Sequence, residues 1–450
     1  MKIKTLIKTL LTKLKNNSTA TNIIIVGAIT ILVKFFGFYK EVVIAGEFGL
    51  SELLDTFFIA LLLPGFINEV FLSAFNSVFI PNYIAEEKTN KNIAAFQSTS
   101  FVVTIITSLV FMGIAFLFTD VFLELFFSGH SSGYYELIIL QFHYLLPCIL
   151  IWGLTSLISG LLNIYGEFTY SSLYPIITSI VMIVCVIFYR EELGKSVLAV
   201  GMLVGSILQL IFLVGIALQK QILKFAVPDF KSSNAILMFK QVPAKVSSGF
   251  LTGLIPVTDQ YFAAQLIVGS IAALNYGMKI PAFFTTIFII ALGNVLLPYF
   301  SKLTIDNPEK SFKTLFMLNK WIFIVIMSIM VIACVFSNDI IAFLFERDSF
   351  TANDTAIVSK IQIIYLIGVP FIICGNLFVK FLTSINKNAF MAYVSLGSML
   401  LNIILDFILM NWVGLIGIAL CTTIIQILKI FVFYNYTNKQ KRLLTVSTHS

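Results

Sequence analysis

The chain has 450 residues, of which 59% are hydrophobic and 11% charged, with a formal net charge of +7. Soluble domains carry about 25% charged residues, so the composition excludes a water-soluble globular protein and predicts an all-α polytopic membrane protein. Walker A loops, Gly-x-Ser-x-Gly elbows and His-Glu-x-x-His motifs are missing, so neither an ATPase nor another catalytic enzyme is expected, and neither a cofactor nor a nucleic-acid partner.

Residues 1–21 read as a basic cytoplasmic N-terminus. Within KIKTLIKTLLTKLK, Ile3, Leu6, Ile7, Leu10, Leu11 and Leu14 fall at helical spacing opposite five lysines. That is an amphipathic helix for an anionic membrane surface, or a basic leader that orients the first span. It has no cleavable-signal pattern, because no long apolar core precedes residue 22. Apolar runs of spanning length then follow near 22–45, 54–81, 97–127, 137–163, 170–189, 196–218, 243–266, 272–299, 314–336, 357–381, 389–410 and 414–435, which makes about twelve transmembrane helices. Cys148, Cys185, Cys334, Cys374 and Cys421 lie in these runs without CxxC spacing and read as packing residues, and the three histidines are isolated, so no metal site is expected. With the N-terminus inside, cytoplasmic segments collect Lys88, Lys91, Lys220, Lys224, Lys231, Lys240, Lys302, Lys310 and Lys387, whereas the opposite loops hold little beyond Arg190, Lys195 and Arg347. The positive-inside rule puts both termini in the cytoplasm.

The halves repeat. Pro64 precedes Pro81 by 17 residues and Pro281 precedes Pro298 by the same 17; Pro147 precedes Asn163 by 16 and Pro370 precedes Asn386 by 16. The offsets between halves, 217 and then 223, imply one small insertion. Six spans per half keep the orientation, so the repeats are parallel. The expected organisation is an N-lobe at 22–218, a basic linker at 219–242, a C-lobe at 243–436 and a cytoplasmic tail at 437–450, with two six-helix lobes around a central cavity. Asn163 and Asn386 are expected to end their helices, since Asn tolerates the left-handed cap conformation.

Charge is concentrated in residues 34–83, which hold Lys34, Lys40, Glu41, Asp55 and Glu69 within apolar sequence. A charge at the bilayer centre costs about 2.5–3.5 kcal/mol on insertion scales, so these groups are expected to face a cavity or each other, or, for the lysines, to snorkel. Gly37 separates the lysines and Pro64-Gly65 breaks the next run; discontinuous helices are where transporters hold substrates. Lys34 and Lys40 lie about 120° apart on an unbroken helix, so Gly37 is the expected hinge that would bring them together. Lys34 and Glu41 share a face and could pair instead. In the second half, Lys279 precedes Pro281 by two residues, Asp259 sits in the opening span, and Asp406 reads as interfacial near an outer helix end.

The runs GFYKEVVIAGEFG, LLDTFFIALLLPGF and AFNSVFIPNY resemble the first two helices of the MviN/MurJ lipid II flippases, part of the exporter superfamily that also holds polysaccharide flippases and MATE antiporters. The resemblance implies translocation of a polyprenyl-diphosphate-linked glycan, lipid II or another lipid-linked oligosaccharide such as an O-antigen or capsule unit, by alternating access across the bacterial cytoplasmic membrane. Lys34, Lys40 and Lys279 would hold the diphosphate. Asp55, Asp259 and Glu41 are the candidates for gating or ion coupling, and Gly37, Pro64, Gly65 and Pro281 for hinges. A proton or sodium gradient or the membrane potential would drive the cycle. The expected partners are the lipid-linked glycan, membrane lipids and wall-synthesis enzymes, and a monomer is expected. A MATE-like cation antiporter is the rival from another class, and a membrane scaffold for wall synthesis the non-transport one. The chain departs from the family in carrying Lys where Arg is usual, Asn68-Glu69 where a basic pair is frequent, and twelve helices where many members have fourteen.

Overall fold

Twelve apolar runs without strand-like alternation make helices, because backbone groups in hydrocarbon must be satisfied within their own segment. The computed structural model describes residues 18–89, 92–127 and 129–447, and the basic stretch 2–15 lies outside them. Apart from one isolated bridge between Arg347 and Phe350, the described residues form helices, turns and loops.

In chain order these are α1 (Ser18–Phe48), α2 (Glu52–Ile67), a π-helical turn (Asn68–Leu72), α3 (Ser73–Thr89), α4 (Ile93–Leu117), α5 (Thr119–Phe126), α6 (Ser132–Ile164), α7 (Phe168–Leu173), α8 (Pro175–Phe188), α9 (Arg190–Leu193) and α10 (Val197–Gln219). There follow α11 (Ser233–Ala264), α12 (Ser270–Asp306), α13 (Pro308–Val335), α14 (Ser337–Phe345), α15 (Ala352–Ser384), α16 (Asn388–Val413) and α17 (Leu415–Ser447). Among the described residues, nine helices or continuous helical stretches are long and apolar enough to cross a membrane. The other three expected runs lie in α1, α11 and α12, of 31, 32 and 37 residues. The last helix runs on through Ser447, past residue 437 where the sequence predicts a tail.

Two of these helices are inverted relative to a soluble protein. In α16 the buried residues are Ser398, Asn402 and Asp406, while Ile404 and Phe407 are exposed. Along α4, Gln97, Ser98, Thr99, Ser100, Thr104 and Ser108 are buried and Ile106, Val110 and Leu117 are exposed. Lipid tails solvate Leu and Ile, so the protein interior collects the groups that need partners.

The chain divides into two compact units. The first is built from the described part of Met1–Glu47 and from Ile59–Gly249; the second from Phe48–Phe58 and the described part of Phe250–Ser450. In the first, Phe79, Tyr83, Phe96, Leu157, Leu161 and Met238 form a core, and the Tyr83 hydroxyl lies 3.0 Å from that of Tyr165. In the second, the Phe381 ring meets Phe300 and Phe312 edge-on at 5.3 and 4.9 Å, a geometry worth about 0.5–1.5 kcal/mol beyond burial.

The repeat is legible in both units, but in a different register from the one the prolines imply. Helices α6 and α15 each have 33 residues and start and end 220 positions apart. Gly194 (φ +51°) and Gly414 (φ +62°) share that offset. Asn163 and Asn386 are therefore not equivalent. The counterpart of Asn386 (φ +58°) is Gly166 (φ +79°). Gly166 N donates to Asn163 O and Glu167 N to Leu162 O; Asn386 N donates to Thr383 O and Lys387 N to Leu382 O. Asn386 takes the left-handed cap as expected, whereas Asn163 stays in the last helical turn and accepts a hydrogen bond from Ser171 Oγ. The prolines mislead because Pro147 lies nearly one turn earlier in its helix than Pro370 does.

The linker is also more structured than a basic connecting loop. Gln97 donates from Nε2 to Ile222 O at 3.0 Å and accepts from Lys224 N at 2.6 Å. Ser98 Oγ accepts from Ala226 N at 3.0 Å, and Thr99 Oγ1 from Asp229 N at 2.8 Å. Three consecutive side chains of α4 thus hold an extended strap, and from Ser233 onward the linker is already helix α11.

Helices α8 and α10 meet at a position only glycine fits. A Cβ on Gly205 would lie 2.8 Å from Thr178 Cα, so the backbones would have to separate. Gly205→Ala is expected to cost about 1–3 kcal/mol, read as a lower melting temperature of the detergent-solubilised protein; an unchanged melting temperature would contradict this packing.

Candidate functional site

Within the first unit, α1 is helical through Gly37 without interruption. Lys34 is exposed on it. Lys40 Nζ lies 2.8 Å from Glu41 Oε1, and both side chains are largely buried. Glu41 therefore pairs with its neighbour Lys40, and not with Lys34 one face-repeat away. The first break expected, at Pro64-Gly65, takes a different form: both residues lie inside α2, and the irregularity comes four residues later as the π-helical turn Asn68–Leu72. Such turns widen a helix by one residue and are frequent at functional sites. This one borders an open recess of about 450 Å³ lined by Gly65, Asn68, Glu69, Trp152, Thr155 and Tyr174, among others.

Asp55 belongs to the second unit. It is 2% exposed. Its two carboxylate oxygens accept from Gly269 N at 2.6 Å and Ala272 N at 2.7 Å, so the side chain caps the N-terminus of α12, where free N–H groups and the helix dipole favour an anion. Gly269 (φ +91°) permits the approach, since a Cβ there would lie 2.7 Å from Leu50 O. The carboxylate that the sequence offers as a gate is spent on positioning the helix that carries Lys279. Lys279 is half-buried on α12, two residues before Pro281, and α12 is continuous through both Pro281 and Pro298.

Asp259, on α11, lies in a buried polar cluster. It accepts from Asn402 Nδ2 at 3.2 Å and from Thr422 Oγ1 at 3.0 Å. Asn402 Nδ2 also lies 3.4 Å from Cys421 Sγ. Asp406 is fully buried beside this cluster, and both its carboxylate oxygens, with Asn402 Oδ1, lack hydrogen-bond partners among the described residues. The interfacial place expected for Asp406 is thus corrected: it faces inward, because Ser398, Asn402 and Asp406 recur every four residues and share one face of α16. That spacing was the available signal for Asn402 and Asp406, and nothing in the sequence singled out Thr422. Oxygen donors of this kind suit a hard cation, although no group of three or more His, Cys, Asp or Glu comes together among the described residues.

The family profile described as Lipid II flippase MurJ matches residues 44–449. A probable lipid II flippase MurJ of Buchnera aphidicola is 26% identical over 92% of this chain and 82% of its own length. The lipid II flippase MurJ of Burkholderia cenocepacia is 26% identical over 77% of this chain and 70% of its own. A solved structure of lipid II flippase MurJ in an inward closed conformation superposes with a TM-score of 0.79 at 26% identity, over 92% of this chain and 87% of that one. A MATE-family multidrug transporter in an inward-facing conformation has a TM-score of 0.72 at 14% identity, over 94% and 98% of the two chains, a likeness of fold alone. A match running from residue 44 to residue 449 takes in nearly the whole chain, which therefore belongs to the lipid II flippase MurJ family.

Proposed function

We infer that this chain is a lipid II flippase of the bacterial cytoplasmic membrane, a multi-pass transporter whose substrate is the lipid-linked peptidoglycan precursor. The family match over residues 44–449 carries the reading. Lys34, Lys40 and Lys279 serve as point charges for the diphosphate, whose transfer into an apolar protein needs compensating cations. Lys40 shares its charge with Glu41 at 2.8 Å. The cycle is one of alternating access, with the prenyl chain remaining in lipid. Lysine-rich segments on one side support cytoplasmic termini.

The coupling ion is assigned to the Asp259–Asp406 cluster. Two buried carboxylates, one without hydrogen-bond donors, are costly unless a cation or proton joins them. The unpartnered oxygens of Asp406 and Asn402, with Thr422, provide hard donors for sodium, and charge entering there would bias which state of the transporter is populated.

Two measurements test these assignments. In cells depleted of their own lipid II flippase, the wild-type chain is expected to restore growth and Lys279→Ala to lose at least about tenfold in lipid II translocation, as when a charge-assisted contact is removed, while still inserting in the membrane. Full activity of that variant would remove Lys279 from the diphosphate site. Separately, sodium should raise the melting temperature of the purified wild type relative to choline at equal ionic strength, since a ligand that binds only the folded state stabilises it. Asp406→Asn is expected to abolish the difference, and a wild type indifferent to sodium would exclude a sodium site.

A further inference from the structure

The recess beside the π-helical turn is lined by none of the residues assigned to the diphosphate or the coupling ion, and its chemistry is of another kind. Glu69 projects from that turn, is exposed, and lies within an apolar stretch long enough to cross a membrane. It is the only charged residue among those described as lining the recess, and the described residues give it no ion-pair partner. A carboxylate at that depth is expensive unless a cation meets it. Two aromatic residues, Trp152 and Tyr174, line the same recess. The indole of Trp152 is fixed by donation from Nε1 to Ser206 Oγ at 2.9 Å. Thr155 Oγ1, on a side chain 3% exposed, lines it without a hydrogen-bond partner. A carboxylate with aromatic walls and a spare hydroxyl acceptor is the usual surrounding of an ammonium group. An anion would be repelled by Glu69, so the diphosphate does not belong here. The volume, about 450 Å³, falls in the range of ligand pockets.

We propose that this recess seats an ammonium-bearing part of the lipid-linked glycopeptide head group, with Glu69 as its counter-ion and Trp152, Thr155 and Tyr174 as its walls. The proposal rests on the lipid II reading and adds a specificity determinant to it. The π-helical turn sets Asn68 and Glu69 at the rim, and an acidic residue here selects head groups by the charge of their peptide.

The test compares lipid II carrying a lysine in its stem peptide with the same molecule acetylated on the lysine Nε, bound to the full chain in nanodiscs. Wild type is expected to bind the free amine at least roughly tenfold more tightly, the scale of a charge-assisted hydrogen bond. Glu69→Gln, close to isosteric at an exposed position, should erase the preference, and Glu69→Asp should retain part of it. Equal affinity of the wild type for the two lipids, or a preference that survives in Glu69→Gln, overturns the proposal. So does a dependence on sodium, in place of the amine, that Glu69→Gln removes. Transport is read separately in vesicles: a wild type that prefers the amine but does not translocate lipid II sinks the flippase reading alone, whereas one that binds neither lipid sinks both.

Discussion

Everything in this structure follows from the absence of water outside it. A polar group facing hydrocarbon has nothing to bond with, and a leucine facing hydrocarbon loses nothing. Burial is therefore inverted: α16 turns Ser398, Asn402 and Asp406 inward and leaves Phe407 outside, and α4 does the same with six consecutive or near-consecutive polar positions. What appears in a soluble protein as an apolar core is here partly a network of hydroxyls, amides and carboxylates. Function is built from that network.

The same constraint decides what each acid can do. Asp55 is neutralised by two backbone N–H groups at the start of α12, so its charge fixes a helix and is not left over for a ligand. Asp259 is met by an amide and a hydroxyl, which satisfy hydrogen bonds but not charge. Asp406 is met by neither. Glu69 stands open at the edge of a recess. The three buried acids form a series of increasing need for an outside cation, and Glu69 stands apart from them by its open position.

The helical architecture was legible because apolar runs of about twenty residues leave a chain few alternatives. Lys279 and Asp259 could be singled out for the same reason, as charges in sequence that should have none. Register was not legible: Pro147 and Pro370 sit at different depths in helices of equal length, so their spacing to the following asparagines paired Asn163 with the wrong partner. The use of Asp55 as a cap was hidden because its donors lie 214 and 217 residues away. Asp406 was misjudged by position along its helix, when the four-residue interval from Asn402 would have shown its face. The π-helical turn has no sequence signature beyond the proline four residues before it.

The strap after α10 is anchored by Ile222 in the core and by Phe225 against Phe101, and it is also gripped by its backbone. The recognising atoms belong to Gln97, Ser98 and Thr99, and what they grip at Lys224, Ala226 and Asp229 is the peptide N–H that nearly every residue type provides. The path of the segment is thus written on the helix beneath it, while the exposed side chains of Lys224 and Ala226 take no part in this docking. Substitutions there can alter surface charge or bulk without moving the chain, which makes this stretch a place where the protein can adapt to a new membrane surface at little structural risk, and where a reporter residue could be introduced with its position known in advance.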